Sequence, residues 1–128
     1  SNLSPLQLLD LQRMIAGERF SLASIVAQKK RAYLQAEVDR KSLQIGAKLR
    51  AKATNKEARP MSETAAADIA EQNPEVIRAR TAEILAEMEF EEARLILNTS
   101  GDVLSSLQMR IADARDERRN TRTISTHA

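Results

Sequence analysis

Cysteine is absent from the 128 residues, which excludes disulfides and thiolate metal sites. Histidine occurs once, at His127 inside a polar tail, and reads as a frayed-end residue rather than a ligand. The aromatics are Phe20, Tyr33 and Phe90, too few for a base-stacking platform of the kind many single-strand binders use. Glycine and proline number three each, so turns are scarce. No run of 18 apolar residues exists, so no membrane span is expected. With no secretory leader pattern either, the expected location is the cytoplasm.

What remains is rich in Ala, Glu, Leu, Arg and Lys, a composition that predicts an all-α chain of one domain or less. Hydrophobic residues reach 42%, but much of that share is alanine. A compact core would be thin, and self-association is the expected remedy: a homo-oligomer whose long helices bury stripes against other copies.

Charge is sorted along the chain. The net charge is +2, yet Lys29 to Arg59 holds ten basic and three acidic residues, and Pro60 to Asp102 holds ten acidic and three basic ones. A basic arm meets polyanions; an acidic block meets the arm of a neighbouring copy. Lys48, Arg50 and Lys52 alternate at the end of a helix, and Lys56 and Arg59 continue beyond it. These five are the candidate nucleic-acid contacts, able to follow a phosphate backbone without reading bases. The competing reading is a solvated helix end whose lysines favour the C-terminal dipole. Tyr33 is the one aromatic near enough to stack a base.

The local signals predict four segments. Residues 1–20 form a short N-terminal helix, started by Ser4 with Pro5 at its first position and stopped near Gly17. Residues 21–62 form a basic helix capped by Ser21 and running to about Ala53, followed by a mobile linker from Thr54 to Ser62. Leu34, Val38, Ile45 and Leu49 share one stripe on that helix. Residues 63–119 form an acidic helical oligomerisation region. Ser62 caps a short alanine-rich helix there, and Asn73-Pro74-Glu75 starts a long one. Phe90, Leu97, Leu104 and Ile111 recur every seven residues, with Leu107 at the complementary spacing, as in a coiled-coil seam between copies. Ile77, Ile84, Met88 and Leu95 make a second stripe. Asn98 to Asp102 reads as a kink or turn. Residues 120–128 are a polar, frayed tail.

No constellation carries catalysis. Glu87 and Glu91 lie one turn apart, but Glu89 and Glu92 beside them indicate a solvated face rather than a desolvated pocket. Ser105 and Ser106 have no histidine partner. GxxxxGK[ST], GxGxxG and HExxH are all missing. The expectation is a non-enzyme without cofactor or metal.

The order of elements resembles the phage recombination mediators of the UvsY type. The resemblance lies in Ala27-Gln28-Lys29-Lys30 through Leu49-Arg50-Ala51-Lys52, a polar linker, Ser62-Glu63-Thr64, Asn73-Pro74-Glu75-Val76-Ile77, a long acidic helix, a Ser100-Gly101 break and a final helix with Leu104, Leu107 and Ile111. It covers roughly residues 25–118. It implies a small helical homo-oligomer that binds single-stranded DNA. Such proteins help a RecA-like recombinase replace the single-strand-binding protein. Lys48, Arg50 and Lys52 match the family's DNA-contacting stretch. Two other readings stand beside it. One is a coiled-coil scaffold or interaction factor, such as a phage assembly factor or an inhibitor, with no nucleic-acid role. The other is a nucleoid-type duplex binder.

Overall fold

The computed structural model describes the backbone of residues 3–127 and the side chains of residues 3–120. It is all-helical, with three helices in chain order: α1 (Pro5–Ala53), α2 (Glu63–Glu71) and α3 (Pro74–His127). No strand occurs among the described residues.

The helix starts follow their local chemistry. Ser4 Oγ accepts from the Gln7 amide and Gln7 Oε1 accepts from the Ser4 amide, a reciprocal capping box ahead of Pro5. Ser62 Oγ accepts from the Ala65 amide at 3.1 Å and starts α2. Asn73 Oδ1 accepts from the Glu75 amide at 2.9 Å, with Pro74 at the first position of α3. Glu75 in that first turn favours the positive end of the helix dipole.

Two expected interruptions do not occur. Helix α1 runs through Gly17 and Ser21 without a break. Ser21 does not cap: its hydroxyl donates back to the Gly17 carbonyl at 3.4 Å, inside the helix. A helical glycine costs only about 1 kcal/mol, and Leu8, Ile15 and Leu22 keep one face in phase across it. Helix α3 likewise runs through Asn98 to Asp102. Thr99 and Ser100 turn their hydroxyls onto the Leu95 and Leu97 carbonyls instead of opening a turn. The Ser100-Gly101 break on which part of the family resemblance rests is therefore helix. The backbone of the expected frayed tail is helical to His127. Side chains from residue 121 onward, that of His127 included, lie outside the described residues.

The contacts divide the chain into two units, Ser1–Val26 with Ala93–Ala128, and Ala27–Glu92. In the first, Leu8 is buried with Leu107 and Ile111, and Leu9, Leu11 and Ile15 pack around them. Arg19 lies against Gly101, where an added Cβ would sit 3.1 Å from the guanidinium. Chain positions rise on α1 as they fall on α3, so the helices are antiparallel there.

In the second unit α1 and α3 are also antiparallel. Tyr33 stacks on Phe90 with ring centroids 6.2 Å apart, Arg40 pairs with Glu83, and Ala47 packs with Ala70 and Val76. Alanine dominates this core, with Ala51 and Ala66 buried as well. Small side chains let α2 lie close against its neighbours, and Val76 is the largest fully buried residue.

Candidate nucleic-acid interface

The five candidate cations fall on the last turns of α1 and the loop behind it. At about 100° per residue, Lys48 and Lys52 share a face and Arg50 points elsewhere. The structure turns that shared face toward the start of α2. Lys52 Nζ donates to Glu63 Oε1, and the charges of both Lys52 and Lys48 act on that carboxylate. The hydrogen bond from Lys52, and then its charge, holds the Glu63 carboxyl below the usual glutamate range. Lys48 and Lys52 are thus half-buried beside an acid, while Arg50, Lys56 and Arg59 are exposed.

The loop from Thr54 to Ser62 has its own hydrogen bonds, although its composition predicts a mobile linker. Thr54 Oγ1 donates to the Arg50 carbonyl at 2.9 Å. Asn55 Oδ1 accepts from the Glu57 amide, and its Nδ2 donates to the Arg59 carbonyl at 3.0 Å. These bonds fold residues 55–59 over the end of α1 and leave a cleft of about 320 Å³ edged by Lys52, Asn55, Arg59 and Met61. Its two cations and amide suit an anion, with Glu57 on the rim as the opposing charge.

Tyr33 does not serve this surface. Its ring is taken up by Phe90, and its hydroxyl is pushed above the usual tyrosine value by the Glu87 carboxylate first and by burial second. Among the described residues, this end of the unit therefore presents cations and no aromatic ring.

Three of the five residues of the expected seam have partners inside the chain. Phe90 packs on Tyr33, and Leu107 and Ile111 are buried with Leu8; Leu97 and Leu104 are half-buried. The rows left outward are Leu34, Val38, Ile45 and Leu49 on α1, and Ile77, Ile84 and Met88 on α3. Elsewhere, Arg115 and Arg118 rim a cleft of about 310 Å³ against Leu6, Leu9 and Ile111.

Sequence reading does not reach the Arg40–Glu83 pair or the Glu63 contact. The signal for the first is an opposite charge at a core-facing position on each helix; the second depends on where the loop returns the chain. Among the described residues no group of three or more His, Cys, Asp or Glu side chains is placed to hold a metal ion, and no helix is long and apolar enough to cross a membrane. Comparison with protein-family models, with curated proteins and with solved structures finds no match for this chain.

Proposed function

We propose that this chain is a non-enzymatic, single-stranded-DNA-binding recombination mediator that works as a homo-oligomer and helps load a RecA-like recombinase. The observation that carries the DNA contact is the grouping of Lys48, Arg50, Lys52, Lys56 and Arg59 at one end of the unit Ala27–Glu92, with Arg50, Lys56 and Arg59 exposed. The mediator role rests on the resemblance of layout. The mechanism is electrostatic: each arm makes a weak, sequence-independent contact, and an oligomer adds such contacts into useful avidity. Displacing the single-strand-binding protein then follows from many arms competing for one strand.

A second reading has its own support. Lys52 is already engaged by Glu63, and both long helices present apolar rows outward. Those features suit a helical scaffold or protein-interaction factor without a nucleic-acid role.

The test is binding to labelled single- and double-stranded DNA across a salt series, for wild type and for Lys48→Ala/Arg50→Ala/Lys52→Ala. Each phosphate neutralised on a single strand contributes a log–log slope of roughly −0.7, so the triple variant should bind all sequences more weakly with a shallower slope. An unchanged slope moves the contact to Arg115, Arg118 and Arg119. Preference for duplex favours the nucleoid-type reading, and no binding at low salt favours the scaffold. With DNA binding in hand, recombinase ATPase on strands coated by single-strand-binding protein tests the mediator step. Equal stimulation by wild type and triple variant, with an authentic partner, refutes it.

A further inference from the structure

In the unit Ala27–Glu92, α1 and α3 each carry a second apolar row facing away from their mutual contact. Leu34, Val38, Ile45 and Leu49 on α1 and Ile77, Ile84 and Met88 on α3 are between 48% and 63% exposed. The α1 row falls within about 60° on the helix, roughly 150° from the face that holds Tyr33, Arg40 and Ala47. The α3 row falls within about 40°, roughly 120° from Val76, Glu83 and Phe90. Rows of this size on a small protein mark a contact surface.

Their borders differ in sign. Arg31, Lys41 and Lys48 outnumber Glu37 beside the α1 row; beside the α3 row, Glu91 and Glu92 stand at its C-terminal end and Arg80, paired with Glu71, near its start. Their spacings also match when the helices run in opposite directions. Leu34, Val38 and Ile45 step by four and seven, as do Met88, Ile84 and Ile77 read backwards.

We propose that the α1 row of one copy docks antiparallel on the α3 row of a second copy, with Ile45 opposite Ile77, Val38 opposite Ile84 and Leu34 opposite Met88. One turn further, the same alignment sets Arg31 beside Glu91 and Lys30 beside Glu92. Like-face docking of two α1 rows would set cation against cation instead. The alignment between copies is offset by one residue, about 1.5 Å, from the one within the chain, where Arg40 meets Glu83 and Tyr33 meets Phe90. A contact between two different faces is head-to-tail, and such contacts build rings when the rotation closes. Because the offset is a single residue, successive copies add mainly by rotation, the geometry from which a ring can close. The inference rests on the homo-oligomer proposed above and names the faces that form it.

The absence of native cysteine permits a direct test. Val38→Cys/Ile84→Cys in one chain, treated with a short thiol cross-linker, should give a ladder of covalent oligomers, whereas either single variant should stay monomeric on a denaturing gel. Dimers from Val38→Cys alone would mean that α1 meets α1, and no ladder from the double variant would mean that the two rows do not meet; either overturns the inference. Val38→Asp and Ile84→Asp supply a second measurement. Each alone should remain helical by circular dichroism and drop to 14.3 kDa by light scattering, since each spoils one of the two faces. Mixed, they should form a one-to-one dimer through the two faces left intact. A mixture that stays monomeric, or wild type that is monomeric itself, overturns the inference, and the salt series on wild type then still decides DNA contact on its own.

Discussion

Arg40 and Glu83 tie α1 to α3 with two hydrogen bonds from one guanidinium: Nε donates to Oε2 at 2.5 Å and Nη2 donates to Oε1 at 3.2 Å. Both side chains are largely covered, at 21% and 15% exposed. Arg40 Nη1 also donates to Gln44 Oε1 on its own helix, so the fork is held in place before it reaches across. Among alanines this pair fixes the alignment of the two helices, because a slide of one turn would strand both charges in partly desolvated surroundings.

A pH dependence follows. The hydrogen bond from Arg40 holds the Glu83 carboxyl below the usual glutamate range. A lowered carboxylate contributes stability that is fully present above its unfolded pKa and is lost as pH falls through the folded one. Glu83→Gln should therefore melt below wild type at neutral pH, and the gap in Tm should close in acid below the ordinary glutamate value. Thermal melts of both proteins from neutral to strongly acidic buffer check this. A gap that persists in acid would mean that the two side chains act by packing rather than by charge.

The glycines give a prediction of opposite sign. Gly17 and Gly46 are helical, with nothing within 4 Å of a would-be Cβ. Replacing a helix-interior glycine by alanine removes a backbone-entropy penalty of about 0.5–1 kcal/mol. Gly17→Ala and Gly46→Ala should each raise the denaturation midpoint by that order, and together their effects should add, since they lie far apart in sequence and share no contact. Gly101→Ala should gain less, because the new methyl displaces the Arg19 guanidinium. Urea titration followed by circular dichroism ranks the three.

The starts of all three helices were legible because a cap is a local event. Ser4-Pro5, Ser62 and Asn73-Pro74 need only their own next few residues to act. Expectation and structure differ where turn-forming residues compete with helical spacing. Gly17 with Ser21, and Asn98 to Asp102, look like breaks, yet Leu8–Ile15–Leu22 and Phe90–Leu97–Leu104 hold a seven-residue step straight through them, and a helix in phase on its buried face loses more by stopping than by carrying one glycine. Apolar rows were legible as faces but not as partners. Leu34, Val38, Ile45 and Leu49 read as a stripe, and the structure turns that stripe outward while Tyr33, Arg40 and Ala47 face α3. The cations of the candidate interface were legible from charge alone; the acid beside them, Glu63, was not, because its approach depends on the fold of residues 54–62.

Core substitutions should separate folding from assembly. Leu107 is buried against Leu8 within the chain, so Leu107→Ala should cost about 2–5 kcal/mol of stability, and Leu107→Asp should cost more by burying an unpaired charge. Val76→Ala should cost about 2 kcal/mol on the same grounds. Denaturation at low protein concentration, where any oligomer is dissociated, checks that these losses belong to the fold. If Leu107→Ala were neutral there and changed only the mass in solution, the residue would serve contacts between copies, as a seam between chains requires.

Glu63 offers the sharpest test of the DNA reading. Its carboxylate occupies Lys52 and lies within the field of Lys48, so a phosphate that binds these lysines must displace it. The hydrogen bond is exposed on the Glu63 side, at 74%, and such a pair is worth little to the fold; removing it should leave the melting temperature nearly unchanged. Ser62 still caps α2 through its hydroxyl, so the helix start is preserved. Glu63→Ala should then tighten single-stranded DNA binding at low salt and steepen the salt slope by roughly 0.7 for each phosphate gained. Glu71→Ala serves as the control: it removes the same charge from the far end of α2, where the partner is Arg80. If the two variants alter affinity equally, the effect is one of net charge; if Glu63→Ala leaves the slope unchanged or weakens binding, Lys48 and Lys52 do not hold the strand.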